Sequence, residues 1–427
     1  MVVWRLSRVC GRTALLLVSA LCTLGAVAGC VQIVPKEPPN QLSSHAYAED
    51  FDAAWTFIRD TYAYFDPHAV DWEQVRALLR PRVAEVRDRT EFISLLEELV
   101  EHLCDHHAHL GTNTASSPRL VPSGADLWAA HRLGNAVITD VRSGSDAEAS
   151  GLRPGMLIVS IGGSPVAAAV DGRLPRAVAR NHVAARDWAL RTLLAGHHGA
   201  SVHVEVQSGK GRLAISYDPG QWSRPEAPLT AARLDADMGY VRLHDSLGHR
   251  ALIPAWDAAL ARLRESDGLI LDLRDTPGGG DAAIARPLLG RLVSSVLPYQ
   301  RHVRPDPSRP GSQRAWTEKV KPRGPFTYDK PMAVLVGRWT GSMAEGVAIA
   351  LDGMKRADVF GSPMAGLRGA IESLTLKHSK IPVRVPAERL YHIDGTPREA
   401  FMPPFPVETR PSSDAVIIAA VEWLLRE

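Results

Sequence analysis

The sequence predicts an α/β protein, and three observations carry that prediction. Residues 332–351 (MAVLVGRWTGSMAEGVAIAL) pass from a short apolar run through a turn of small residues into a helical pattern. Strand-like and helix-like segments alternate through 223–427, as in a layered α/β domain. Residues 46–110, in contrast, space their apolar side chains only at helical intervals. At 427 residues, 45% hydrophobic and 22% charged, the chain has room for two or three domains with a substantial core. A formal charge of +2, with no basic run interleaved with aromatics, gives no electrostatic case for nucleic acid.

The N-terminus reads as an export segment. Arg5, Arg8 and Arg12 precede an apolar run over 14–28, which is too short for a comfortable transmembrane helix. That run ends Val27-Ala28-Gly29-Cys30, which resembles a bacterial lipobox. The resemblance implies a signal peptide over 1–29, a lipid-modified Cys30 inserted in the bilayer, and a location in the bacterial cell envelope. Val31 after the cysteine resembles lipoproteins of the outer membrane, which would face the periplasm. An uncleaved signal anchor is the alternative. Once the signal is removed and Cys30 is acylated, Cys104 is the only thiol left, so the fold must rest on its core. The proline-rich stretch 30–45 has the composition of an extended tether.

A helical N-terminal domain is expected over 46–120. Phe51, Trp55 and Ile58 share one face, and Phe92, Leu95, Leu96, Leu99 and Leu103 another. It runs into EHLCDHHAHL (101–110), the densest cluster of ionisable side chains in the chain. Three readings stand side by side. His102 and His106, four apart on a continuing helix, could join His109 or Asp105 around zinc, although H-E-x-x-H is absent. The cluster could also be a solvated helix end. Finally, one histidine could act as a general base.

Within 121–222, residues 135–141 read as a strand, 145–151 as a short helix and 152–163 as a turn followed by a strand. The string AEASGLRPGMLIVSIGGSPV resembles PDZ domains of exported proteases, with Met156 where aspartate is usual. This implies peptide binding by strand addition near Gly151, Leu152 and Gly155. An alanine- and arginine-rich helical insertion over 171–199 precedes a strand at 201–207 that is expected to close the domain.

The third region, 223–427, reads as strand 238–243, helix 252–263, buried strand 268–273, helix 281–292 and strand 332–336. Between two of these elements lies DLRDTPGGG (272–280), whose glycines let backbone amides approach a ligand or simply make a turn. It is not a nucleotide loop, since neither G-x-G-x-x-G after a strand nor Gly-Lys-Ser/Thr occurs there. Ser342 sits where strand passes into helix. As an N-cap it would be ordinary; as a nucleophile it would have the unpaired amide of Met343 beside it.

Four separated pieces together resemble the carboxyl-terminal-processing and tricorn-type serine peptidases. GLILDLRDTPGGG is similar to the family's D-L-R-x-N-x-G-G element, with Thr276 for Asn, and VLVGRWTGSMAEGVAIALDG to its nucleophile segment, with Ser342 on the nucleophile and Glu345 on the glutamate. LCDHHAHL resembles L-x-D-x-H-T-x-L, with His107 on the histidine, and 394–407 resembles the segment that carries a glutamate, here Glu399. Leu367 stands where the processing branch has a lysine base, and Arg368 cannot serve because a guanidinium stays protonated. The resemblance therefore implies the histidine-using, tricorn-type branch.

The resemblance further implies a peptidase core of the ClpP/crotonase-like type, acting on polypeptides of the cell envelope. Ser342 would attack, His107 would act as base, and Glu399 would orient and stabilise the charged network. The amides of Met343 and Gly278 or Gly279 would form an oxyanion hole, with no metal or organic cofactor required. Two other readings stand beside this one: a non-catalytic peptide-binding lipoprotein of the same fold, and a hydrolase or binder of a non-peptide ligand.

Overall fold

The computed structural model describes residues 41–427 other than 66–69, 210, 223–224, 245, 307, 310 and 408–413. Cys30, the signal segment and most of the tether lie outside the described residues. Among the described residues no helix is long and apolar enough to cross a membrane. The strands among the described residues form three sheets, one of five strands and two of six.

The Ser44–Thr61, Trp72–Leu79 and Arg89–Glu101 helices build the N-terminal layer, each started by an Asp or Ser side chain that accepts a hydrogen bond from a first-turn amide. Their apolar faces (Phe51, Trp55, Ile58, Phe92, Leu96, Leu99) pack against Val383 and Val385 of the distant Pro382–Tyr391 strand. Buried Asp50 ties the two regions together by accepting hydrogen bonds from the amides of His378 (3.0 Å) and Ser379 (2.6 Å). The third helix stops at Glu101. His102 is its C-cap, and Cys104 follows in the left-handed region at φ 44°. His102 and His106 therefore do not share a helix face, which removes the geometric premise of the zinc reading.

The segment after this break forms a short strand, His109–Leu110, which pairs antiparallel with Arg384 and Val383. The same long strand also pairs with Ala370–Thr375 on one stretch and with Leu297–Pro305 on another, and Gln313–Val320 continues this sheet beyond Leu297–Pro305. The pairings of Pro382–Tyr391 with His109–Leu110 and with Leu297–Pro305 join segments far apart in sequence, so the sequence pattern does not reveal them.

Residues 127–217 form an antiparallel sheet in the order Leu127–Arg132, Asn135–Val141, Leu157–Ile161, Val202–Ser208, Gly211–Tyr217, with Ser164–Pro165 beside Leu157–Ile161. Val202–Ser208 does not end the sheet as expected, because Gly211–Tyr217 folds back on it as a hairpin. Two helices, Val166–Arg173 and Val183–Ala195, fill the alanine-rich stretch, the second packing against Leu127–Arg132.

The remaining six-stranded sheet runs Phe405–Pro406, Asp358–Gly361, Met332–Val336, Gly268–Asp272, Met238–Leu243, Leu229–Arg233, parallel except at the last pair. Alternating residues serve opposite faces. Leu269, Leu271, Val334 and Val336 meet helices Leu252–Arg262, Ala282–Leu289 and Met343–Gly353. Ile270, Ala333 and Leu335 meet Ala415–Leu424. Both faces are covered, so Gly268–Asp272 and Met332–Val336 are buried at every position and apolar except at Asp272, which accepts from Tyr240 and Arg274.

Candidate active site

Ser342 lies at the corner between strand Met332–Val336 and helix Met343–Gly353, at φ 54° and ψ −112°. A non-glycine residue rarely adopts positive φ, and the surroundings must hold it there. Glu345, at the third helical position and fully buried, accepts the Ser342 amide at 2.7 Å and the Gly366 amide at 2.8 Å. Burial pushes its pKa up to about 7 against the opposing pull of Arg398 and these amides. The Ser342 N–H is thereby committed to Glu345.

The corner is braced from the other side by the glycine loop. Thr340 and Thr276 form a parallel bridge, and the Gly341 amide donates to the Thr276 carbonyl at 3.0 Å. A Cβ on Gly341 would fall 2.2 Å from the Pro277 carbonyl oxygen, and one on Gly280 2.2 Å from Met343 Cβ. Only glycine permits these approaches. The loop carrying Gly278 and Gly279 thus lies against the start of the nucleophile helix, Gly279 at φ 69°. Thr276, where the resemblance has asparagine, is fully buried and donates to the Leu243 carbonyl at 3.1 Å, so it ties the loop to the end of strand Met238–Leu243.

His107 Nε2 is 3.0 Å from Ser342 Oγ. Its Nδ1 bonds the carbonyl oxygen of Arg368, and since a carbonyl only accepts, Nδ1 carries the proton and Nε2 is left free to accept from the serine hydroxyl. Burial, joined by the nearby Arg398 guanidinium, pushes the His107 pKa down to about 3. The ring is therefore neutral at physiological pH. Asp105 accepts the His107 amide at 2.9 Å and the Tyr62 hydroxyl at 2.9 Å, while Arg368 stands 3.9 Å from its carboxylate. Burial raises the Asp105 pKa, opposed first by Arg368.

Glu399 is not bonded to His107. It lies where its charge acts on Tyr64 and Arg368, and its Oε2 is buried without a hydrogen-bond partner. Its neighbour Arg398, only 3% exposed, donates to the carbonyls of Leu367 (2.7 Å) and Gly369 (2.9 Å) and stands 4.0 Å from Glu345. Sequence reasoning missed this arginine. It acts on backbone carbonyls, which have no signature in the sequence; Asp105 at least lies inside the histidine motif. Leu367, at the lysine position, is 5% exposed and packs with Val121, Ala125, Trp128 and Trp339.

In the 127–217 sheet, Leu152 is fully buried among Ala147, Ile158 and Ile161, while Gly151 and Gly155 take φ 93° and 88° in the turns. These three residues serve the core and its turns; as the side chains stand, Leu152 offers nothing to a peptide. The sheet edge is covered as well. The two-residue loop Leu133–Gly134 joins Arg132 to Asn135, so alternation turns the peptide groups of Ala129 and His131 outward. Asp187 accepts the His131 amide at 2.9 Å, and Arg191 Nε donates to the Ala129 carbonyl at 3.0 Å.

A serine hydroxyl on a strained strand–helix corner, bonded to a neutral imidazole whose other nitrogen is held, has the geometry of a serine hydrolase. Comparison with known proteins narrows the class. The model described as "Peptidase family S41" matches residues 237–401, and that described as "Tricorn protease C1 domain" matches residues 44–101. A carboxyl-terminal-processing protease of Synechocystis sp. is 26% identical over 336 residues, 75% of this chain and 71% of that protein. The chloroplastic carboxyl-terminal-processing peptidase 2 of Arabidopsis thaliana is 29% identical over 194 residues, 43% of this chain and 35% of that one. Among solved structures, mature CPAF superimposes with a TM-score of 0.57 at 14% identity, covering 89% of this chain and 96% of its own. The photosystem II D1 C-terminal processing protease gives 0.55 at 19% identity, covering 88% and 96%. These matches support a serine peptidase of the carboxyl-terminal-processing and tricorn type, and the mixed α/β fold matches the structures of such proteins.

Proposed function

We propose that this protein is a lipid-anchored serine peptidase that cleaves polypeptides of the bacterial cell envelope through Ser342 and His107. The observation that carries the chemistry is the 3.0 Å contact between His107 Nε2 and Ser342 Oγ, made with Nδ1 bound to the Arg368 carbonyl. Ser342 Oγ bonds the scissile carbonyl carbon while its proton passes to His107 Nε2. The tetrahedral intermediate then collapses, the C–N bond breaks, and the proton moves to the leaving amine. Water repeats the sequence on the acyl-enzyme. The oxyanion is received by the Met343 amide together with one from Gly278 or Gly279, because the Ser342 amide is committed to Glu345.

A resting His107 pKa of about 3 is low for a general base, so charge compensation must arrive with the attack itself. The negative oxyanion supplies it, while Asp105 fixes the histidine segment by accepting the His107 amide. In this reading Glu399 acts through the field at Arg368 and Tyr64. The steps assigned to these side chains use no metal or organic cofactor.

The six-stranded, mostly parallel sheet with helices on both faces supports a ClpP/crotonase-like core, and the 127–217 sheet supports a PDZ-like substrate-binding region. Export and acylation at Cys30 rest on the VAGC string. The test is labelling by a serine-directed fluorophosphonate. Wild-type protein should label and Ser342→Ala should not; equal labelling of the two would remove the nucleophile.

A further inference from the structure

Three consecutive carbonyls, those of residues 367, 368 and 369, are all taken by side chains brought from elsewhere in the chain. His107 Nδ1 bonds the middle one. One terminal nitrogen of Arg398 holds both flanking ones, at 2.7 and 2.9 Å. The segment has no regular secondary structure of its own, so nothing in a helix or ladder fixes the direction of the middle carbonyl. On its N-terminal side, the Gly366 amide is fixed on Glu345, the carboxylate that also holds the Ser342 amide. On its C-terminal side, a Cβ on Gly369, at φ 54°, would fall 2.1 Å from the Glu388 carbonyl oxygen, so the strand partner limits its movement.

We propose that Arg398 is a positioning residue for the general base: it locks the 367–369 peptide groups so that the Arg368 carbonyl selects the Nδ1-protonated tautomer of His107 and aims Nε2 at Ser342. Arg398 does not touch the reacting atoms. It acts through backbone that His107 reads, and through Glu345 it joins the nucleophile's corner to the same clamp. The guanidinium suits this role because one planar group presents several donors in fixed directions and keeps its charge when buried. Its position beside two backbone carbonyls and a buried carboxylate explains how a cation 3% exposed is accommodated here.

The inference rests on the reading of His107 and Ser342 as base and nucleophile, and the test separates the two. Histidine labelled with ¹⁵N reports the His107 tautomer directly, its signal identified by loss in His107→Ala. Fluorophosphonate labelling reports nucleophile activation. Wild-type protein should show a single Nδ1-protonated His107. Arg398→Met should mix the tautomers and slow labelling at least about tenfold, with circular dichroism unchanged. Arg398→Lys, which keeps the charge but loses the fixed fork, should fall between. Unchanged tautomer and rate in folded Arg398→Met would overturn the clamp. If Arg398→Met fails to fold, Arg398→Lys decides: wild-type tautomer and rate in it overturn the proposal, and a mixed tautomer supports it. If the tautomer responds to Arg398 but wild-type protein never labels, the clamp stands and the peptidase reading falls.

Discussion

His107 Nε2 and Ser342 Oγ lie 3.0 Å apart although 235 positions separate them in the chain. The contact is made by two breaks in regular structure: the end of the Arg89–Glu101 helix, which releases the histidine segment, and the positive-φ corner at Ser342. From this contact, His107→Ala should lower peptide turnover at least about a hundredfold with the fold retained, whereas His102→Ala and His106→Ala should do much less. Turnover and circular dichroism on purified variants check this, and full activity in folded His107→Ala would exclude it as base.

The depressed His107 pKa fixes a pH dependence. Above about 6.5 the ring is neutral in both folded and unfolded chains. Below that the unfolded chain takes up a proton, and the folded one does not until about 3. His107 therefore costs stability progressively as pH falls from about 6.5 to about 3, on the order of a few kcal/mol. Glu345 has the opposite sign: its folded pKa of about 7 lies above its unfolded 4.5, so its contribution is present at low pH and lost as pH rises through that window. Melting temperatures followed against pH should show a shallower acid loss in His107→Ala than in wild type. Parallel curves would contradict the burial of a neutral ring.

The same neutrality bears on reactivity. An ordinary imidazole is half protonated near pH 6.5, but His107 is not. Fluorophosphonate labelling of Ser342 should keep most of its rate through about pH 5.5. A halving centred near 6.5 would show that the ring titrates normally.

Asp187 and Arg191 cover the outward peptide groups of His131 and Ala129, which an added strand would use. If the 127–217 sheet receives extended peptides at this edge, Asp187→Ala/Arg191→Ala should bind an extended peptide several-fold more tightly, read by fluorescence anisotropy. Small-probe labelling of Ser342 should not change. Weaker or equal peptide binding would place substrate recognition elsewhere.

Leu367 packs with Trp128 and Trp339 under the nucleophile loop. Leu367→Ala should cost about 2–5 kcal/mol of stability, measured by denaturant unfolding. A loss below about 1 kcal/mol would show that the cluster collapses around the gap.

Acylation is checked by intact mass of membrane-extracted protein. A mature chain beginning at Cys30 and carrying acyl mass is expected. One that retains residues 1–29, or lacks the acyl groups, would set the lipoprotein reading aside.

Much of this protein is legible in its residues. Apolar runs at 268–272 and 332–336 announce buried strands because both faces of a covered parallel sheet exclude water. Glycines at 278–280, a serine where strand meets helix, and His107 in its cluster each mark chemistry that few other side chains can supply. Leu367 at the matching position counts against a Ser–Lys dyad. What the tertiary structure alone decided is the connection among them. The partner of His107 Nδ1 is a backbone carbonyl, and every residue has one, so composition could not single out Arg368. Arg398 likewise acts on carbonyls, and its importance over neighbouring Glu399 depends on which of the two turns inward. The pairing of Leu297–Pro305 with Pro382–Tyr391, and the Asp187–Arg191 cover on a sheet edge, join distant segments, where local pattern holds no information about which edge will be met.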